Sequence, residues 1–141
     1  MTLTIKRART IIRAALAKGV EAGMKPLSVA VLDAGGHLIA FERSDGASPG
    51  RFDIARGKAY GCLMLGLGGD AIQKRAEAQP TFTDAMNGLY AGRFVPVRGG
   101  VLVRDAKGAV IGAVGVTGDS SDNDAIAAGA GIEAAKLTPE A

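Results

Sequence analysis

The acidic loop near the end of the chain holds the densest group of side chains that could move protons. Asp119, Asp122 and Asp124 lie within six residues, just before a predicted helix at 125–136. Carboxylates cap free amide groups and suit the positive end of a helix dipole, but three exceed what capping requires. We therefore predict that Asp122 and Asp124 serve as general acid or base in any reaction that the protein carries out.

Cationic groups that could hold an anionic ligand lie in two separate segments. Arg56 and Lys58 belong to a predicted middle helix. Helical spacing puts Lys58 four residues after Ile54, near the inward face, where an amine requires an acidic partner or an anionic ligand. The second segment is Arg98, which precedes a glycine pair with accessible backbone. Together the two segments predict a binding site for a carboxylate.

Metal ligands and catalytic nucleophiles show no recognisable spacing. The single histidine, His37, follows a predicted turn, and the single cysteine, Cys62, lies in an apolar run. Neither has partners at the spacing of a zinc site or a catalytic triad, so no metal site is expected. Non-covalent ligation of a haem iron by His37, Tyr60, Tyr90 or a methionine stays open, because such side chains ligate haem iron.

Two hairpins of the same design must position these residues. The segments 33–36 and 105–108 share the pattern Asp-Ala-x-Gly, which is typical of a tight turn, and each lies between two apolar runs. A segment at 92–97 leads into one further short strand. The hairpin strands are predicted at 28–32, 37–43, 101–103 and 110–116.

Helices are predicted before, between and after the hairpins, at 4–22, 52–67, 71–78, 81–89 and 125–136. Helices and strands do not alternate strictly, which favours an α+β layer structure over a Rossmann sheet. With 141 residues, the chain is expected to form a single domain, 1–141. Gly112, Gly115 and Gly118 predict either a bulge in the long strand or a backbone or ligand that approaches it closely.

Composition excludes several classes of partner. The net charge is +3, and the dense basic residues near the start form one face of the first helix without interleaved aromatic residues, so nucleic acid is not expected as a partner. No apolar run reaches the roughly 20 residues of a membrane span, and the first residues do not resemble a signal peptide. A single cysteine, which cannot form an internal disulfide, suits a reducing compartment. We therefore expect a cytoplasmic protein.

Five motifs in the chain occur together in a known family. They are VAVLDAGGHLIAFERSDGA at 29–47, DIARGKAY at 53–60, AQPTF at 78–82, PVRGGVLV at 96–103 and AVIGAVGVTG at 109–118. In this set and order, the chain resembles the GlcG/HbpS family, a haem-binding or haem-degrading-like domain that is also similar to the C-terminal domain of PduO proteins.

The resemblance implies a profilin-like or PAS-like five-stranded antiparallel sheet flanked by helices, and self-assembly from dimers up to octamers. It implies a pocket near subunit boundaries with haem as the ligand. Lys58, Gly99, Gly100 and Thr81 match the family's pocket residues. The chain departs from the family where Ala125 follows the acidic loop, which removes one candidate acid.

Two functions follow as expectations. The first is a cytoplasmic, oligomeric small-ligand-binding protein with haem as its ligand. The second is an enzyme of a catabolic pathway for organic acids or aromatic compounds. In the enzyme, Lys58 or Arg98 would hold the substrate carboxylate and Asp122 or Asp124 would transfer protons.

Overall fold

The computed structural model describes all 141 residues and contains five helices and five strands. The helices are α1 (Ile5–Glu21), α2 (Arg51–Leu65), α3 (Gly69–Ala78), α4 (Pro80–Leu89) and α5 (Ser121–Ala134). The strands are β1 (Ser28–Asp33), β2 (Leu38–Arg43), β3 (Gly100–Arg104), β4 (Val110–Thr117) and β5 (Thr138–Glu140). None of the helices combines the length and the apolar character that crossing a bilayer requires.

The strands form one antiparallel sheet in the order β2-β1-β4-β3-β5. Both predicted hairpin turns are confirmed. The amide of Gly36 donates to the carbonyl of Asp33 at 3.0 Å, and the amide of Gly108 donates to that of Asp105 at 3.0 Å. Both glycines have a left-handed φ, +86° and +84°, which a glycine adopts without steric cost.

Alternation along the strands divides the core into two layers. Val29 and Val31 point to the face covered by α1 and α5, where the larger apolar cluster forms. Leu32 and Ala113 point to the opposite face, where Cys62 of α2 lies in the smaller cluster. The predicted α+β layer structure is therefore confirmed, with helices on both faces of the sheet.

Helix α2 packs directly on the backbone of the sheet because glycines face it. A Cβ added to Gly115 would lie 1.8 Å from the carbonyl oxygen of Ala55, and one added to Gly100 would lie 2.3 Å from that of Lys58. Gly100 and Gly115 are opposite one another in the β3–β4 pair. The predicted close approach at Gly115 is confirmed, and the approaching group is the backbone of α2.

The prediction of a separate short strand after 92–97 is wrong. This segment is a loop, because its apolar residues pack on the outer side of α2 instead of in a sheet. Phe94 is 1% exposed, and its ring contacts Gly61, where an added Cβ would lie 2.5 Å away. The fifth strand is β5, which pairs with β3.

Helix α5 begins before its predicted start at Ala125. The hydroxyl of Ser120 accepts a hydrogen bond from the amide of Asn123 at 3.2 Å and caps the helix. The earlier start places Asp122 and Asp124 in the first turn of α5.

Candidate functional site

Lys58 and Asp124 form a buried ion pair at the centre of the molecule. Lys58 is 3% exposed and Asp124 1%, so the predicted inward position of the lysine is confirmed. The Nζ atom of Lys58 lies 3.0 Å from Oδ2 of Asp124 and donates to the carbonyl oxygen of Val116, also at 3.0 Å. Oδ1 of Asp124 accepts from the amide of Asp119 at 3.0 Å. The pair therefore ties α2 to β4 and to the start of α5.

Burial shifts the pKa of both partners toward their neutral forms. Loss of hydration lowers the pKa of Lys58, and the charge of Asp124 opposes that shift. Loss of hydration likewise raises the pKa of Asp124 against the attraction of Lys58. The charged form of each group is therefore stabilised by the opposite charge of its partner. Both groups are almost fully buried, so the pair acts first as a structural contact between α2, β4 and the start of α5.

The glycine pair predicted for the pocket lies against Lys58. Gly99 has a φ of +113°, and an added Cβ would lie 2.7 Å from Nζ of Lys58. Its carbonyl oxygen accepts from the amide of Val116 at 2.9 Å, while Gly100 contacts the lysine backbone. The structure therefore brings together Lys58, Asp124, Gly99 and Gly100.

Arg98 is already engaged by two carboxylates. Its Nε donates to Oδ1 of Asp70 on α3, and its Nη1 lies 3.5 Å from Oδ1 of Asp122. The hydrogen bond from Arg98 lowers the pKa of Asp70. The side chain of Asp122 is 75% exposed, so it stays accessible to solvent. A carboxylate ligand would have to displace one of these two acids from Arg98.

Thr81 and Arg56 lie apart from this cluster. Thr81 is exposed in the first turn of α4 and makes no side-chain hydrogen bond. The guanidinium of Arg56 lies 5.4 Å from the ring centroid of Phe52 and has no carboxylate partner. No hydrogen bond or ion pair joins either residue to Lys58 or Asp124.

His37, which the sequence leaves open as a ligand of haem iron, pairs with Asp33. Its Nδ1 lies 3.1 Å from Oδ1 of Asp33, and the side chain is 79% exposed. Amide hydrogen bonds from His37 and Gly35 lower the pKa of Asp33, so this carboxylate stays ionised near neutral pH. An ionised carboxylate only accepts hydrogen bonds, so the contact favours the Nδ1–H tautomer. Nε2 then keeps a free lone pair.

The imidazole of His37 forms one wall of a surface groove of about 420 Å³, within the usual size of ligand sites. Asp33 and Thr2 are the other polar side chains that line the groove. The apolar lining comes from three distant parts of the chain and includes Leu3, Ile39, Val110 and Ile111. The groove therefore presents one oriented imidazole beside an apolar surface.

Cys62 and the acidic side chains do not form a cluster of metal ligands. Burial raises the pKa of the Cys62 thiol to about 12, so the sulfur is an unreactive core group. No three His, Cys, Asp or Glu side chains converge.

Comparison with known proteins gives consistent matches over most of the chain. Residues 3–133 match a family model described as "Haem degrading protein HbpS-like". HbpS of Streptomyces reticuli, solved as a double mutant, is 31% identical, with a TM-score of 0.81 over 94% of this chain and 86% of that one. A PduOC–haem complex shares the fold, with a TM-score of 0.87 at 21% identity over 100% of both chains.

A protein of Citrobacter freundii is also similar. It is described as an uncharacterized 15.0 kDa protein in the dhaT-dhaS intergenic region, and it is 30% identical over 127 residues, 90% of this chain and 87% of that protein. The structural neighbours confirm the expected five-stranded antiparallel sheet with flanking helices.

Proposed function

The chain belongs to the HbpS-like family, and from that membership we propose that it binds haem, with His37 as a ligand of the iron. The family is described as haem degrading, and one protein of the same fold is a complex with haem. The observation that carries the proposal is the His37–Asp33 pair at the wall of the apolar groove.

The residues of the groove fit the chemistry of haem. A porphyrin requires apolar contact surface, and Leu3, Ile39 and Ile111 provide it. Metal-ligating histidines commonly donate their second ring N–H to a carboxylate, which fixes the tautomer and raises the basicity of the ligating nitrogen. Asp33 makes that contact with His37. Bound haem would supply a redox-active iron; His37 would hold it, and Asp33 would orient the imidazole of His37.

Self-assembly is part of the proposal. The groove is open, and β2, which begins directly after His37, is an edge strand of the sheet. Leu38 at the start of β2 is 48% exposed. Unpaired edges and exposed apolar residues are commonly covered in oligomers. A second copy on this edge would close the groove, in an assembly between a dimer and an octamer, within the reducing cytoplasm.

The resemblance to the family implies a different haem position, beside Thr81 and Lys58. Thr81 is accessible, but Lys58 is 3% exposed and is held by Asp124. Haem can contact Lys58 only if that ion pair opens. A haem position beside Thr81 and Lys58 stays a prediction, and the haemin titration distinguishes it from ligation of the iron by His37.

An enzyme that acts on a small carboxylate is the second prediction. It requires that Arg98 release Asp70 or Asp122, or that Lys58 release Asp124. Proton transfer would fall to Asp122, 75% exposed, or to Asp124, 1% exposed. The geometry supports this function less well than haem binding, because each of these groups already has a partner within the chain.

Titration with haemin tests the proposal, with the Soret band as the readout. The parent should saturate and show the spectrum of an imidazole-ligated iron. His37→Ala should lose that spectrum and weaken binding about tenfold or more, in line with the loss of a supported metal ligand. Thr81→Ala is the matched control and should bind as the parent does.

The reverse pattern, with binding lost in Thr81→Ala and kept in His37→Ala, would move the haem to α4. A parent protein that does not saturate with haemin would refute haem binding altogether. Because both side chains are exposed, neither substitution should prevent folding.

A further inference from the structure

A second cavity lies at the opposite end of the β1–β2 hairpin from His37, where α2 begins. Its volume is about 230 Å³. Lys25, Ser48 and Arg51 are the polar side chains that line it, and the remaining lining residues are small or apolar. No acidic side chain is among them. The cavity is therefore cationic.

The guanidinium of Arg51 is held in a fixed orientation without being neutralised. Its Nε donates to Oγ of Ser48 at 3.1 Å, and its Nη1 donates to Oγ1 of Thr117 at 2.9 Å. Both partners are hydroxyl groups, and neither Arg51 nor Lys25 makes an ion pair. A cation that is positioned by neutral groups keeps its full charge for an anion.

Two acidic residues lie near the lysine loop outside the lining: Asp45, which lines a neighbouring cavity together with Lys25, and Asp119. Asp119 accepts from the amide of Lys25 at 3.0 Å through Oδ1, and from Nδ2 of Asn123 at 2.7 Å through Oδ2. Both of its carboxylate oxygens therefore have donors. The ammonium group of Lys25 is left without a carboxylate within ion-pair distance.

We propose that this cavity binds the phosphate or carboxylate group of a small anion. Arg51 and Lys25 provide charge, and Ser48 provides a hydroxyl group. The site is separate from the groove at His37, so it does not depend on haem binding.

Calorimetric titration of the haem-free protein tests the proposal. Inorganic phosphate and succinate are titrated in separate experiments at constant ionic strength, which shows whether the site takes a phosphate or a carboxylate. We expect saturable binding of one anion per chain by at least one of them. Lys25→Gln should weaken it about tenfold, as expected for loss of a charged donor.

Lys107→Gln is the matched control. It removes an equally exposed lysine from the β3–β4 turn, at the other end of the strands, and should leave the affinity unchanged. Equal weakening in both lysine variants, or no saturation with either anion, would overturn the proposal.

Discussion

Replacement of Lys58 by Met should be among the most damaging single changes in this chain. The substitution keeps the length of the side chain but leaves the carboxylate of Asp124, 1% exposed, without its cation at 3.0 Å. Removal of one partner of a buried pair costs about 3–5 kcal/mol. A chain of 141 residues has a total stability of roughly 7–20 kcal/mol, so the loss is a large fraction of the whole.

Urea unfolding as a function of pH gives the sharpest readout. Burial raises the pKa of Asp124 above its ordinary value of 3.8, and loss of Lys58 removes the attraction that opposes this rise. A raised pKa in the folded state gives stability that is complete below the unfolded pKa and is lost as the pH rises through the folded pKa. The deficit of Lys58→Met should therefore be small near pH 4 and large at pH 7.

A double-mutant cycle with Asp124→Asn tests the coupling between the two residues. The double variant should lose less stability than the sum of the two single variants, by about 0.5–3 kcal/mol. Lys74→Met is the control, because Lys74 forms an exposed pair with Asp70 at 3.4 Å, and such surface pairs contribute at most about 1 kcal/mol. A pH-independent deficit below about 1 kcal/mol, with additive single effects, would refute the account of this pair.

Three further predictions concern the helices, the acidic loop and the assembly. Gly129→Ala should raise the free energy of unfolding by about 0.5–1 kcal/mol, because an added Cβ meets nothing within 4 Å. Gly131→Ala in the same helix should lower the free energy of unfolding, because its Cβ would lie 2.5 Å from the carbonyl oxygen of Ile11. Urea unfolding of both checks this, and equal effects would contradict it. Hydrogen bonds led by that from the amide of Lys25 lower the pKa of Asp119 to about 2, so the parent should lose stability as the pH falls from 4 to 2, and Asp119→Asn should show a flatter profile over that range. Light scattering after size exclusion should give a mass of at least two chains, and a monomer would contradict self-assembly.

The hairpins could be predicted from the sequence because their signals are local. Each Asp-Ala-x-Gly turn lies within four residues between apolar runs, and the same four residues make the closing hydrogen bond. Strand β5 has three residues, one of them Pro139, and shows no alternation that could be recognised. The segment around Phe94 has the apolar character of a strand, but it packs on α2, because the glycines of that helix leave room for its side chains.

The candidate site was only partly predictable for a related reason. Helical spacing placed Lys58 on the inward face, but its partner Asp124 is 66 residues away, and sequence alone does not assign such a pairing. The groove at His37 is built from segments near Leu3, Ile39 and Ile111, which only the folded sheet brings together. The spacing of Asp33 and His37 across a tight turn was the one local signal for this site.

Labelling of the histidine provides the most direct test of haem ligation. His37 is the only histidine in the chain, so protein grown with ¹⁵N-histidine, with any affinity tag removed, carries the label at a single position. After addition of haemin, electron–nuclear double resonance measures the hyperfine coupling between the iron and the labelled nitrogen. A strong ¹⁵N coupling is expected, and a protein that holds haemin without this coupling would contradict ligation of the iron by His37.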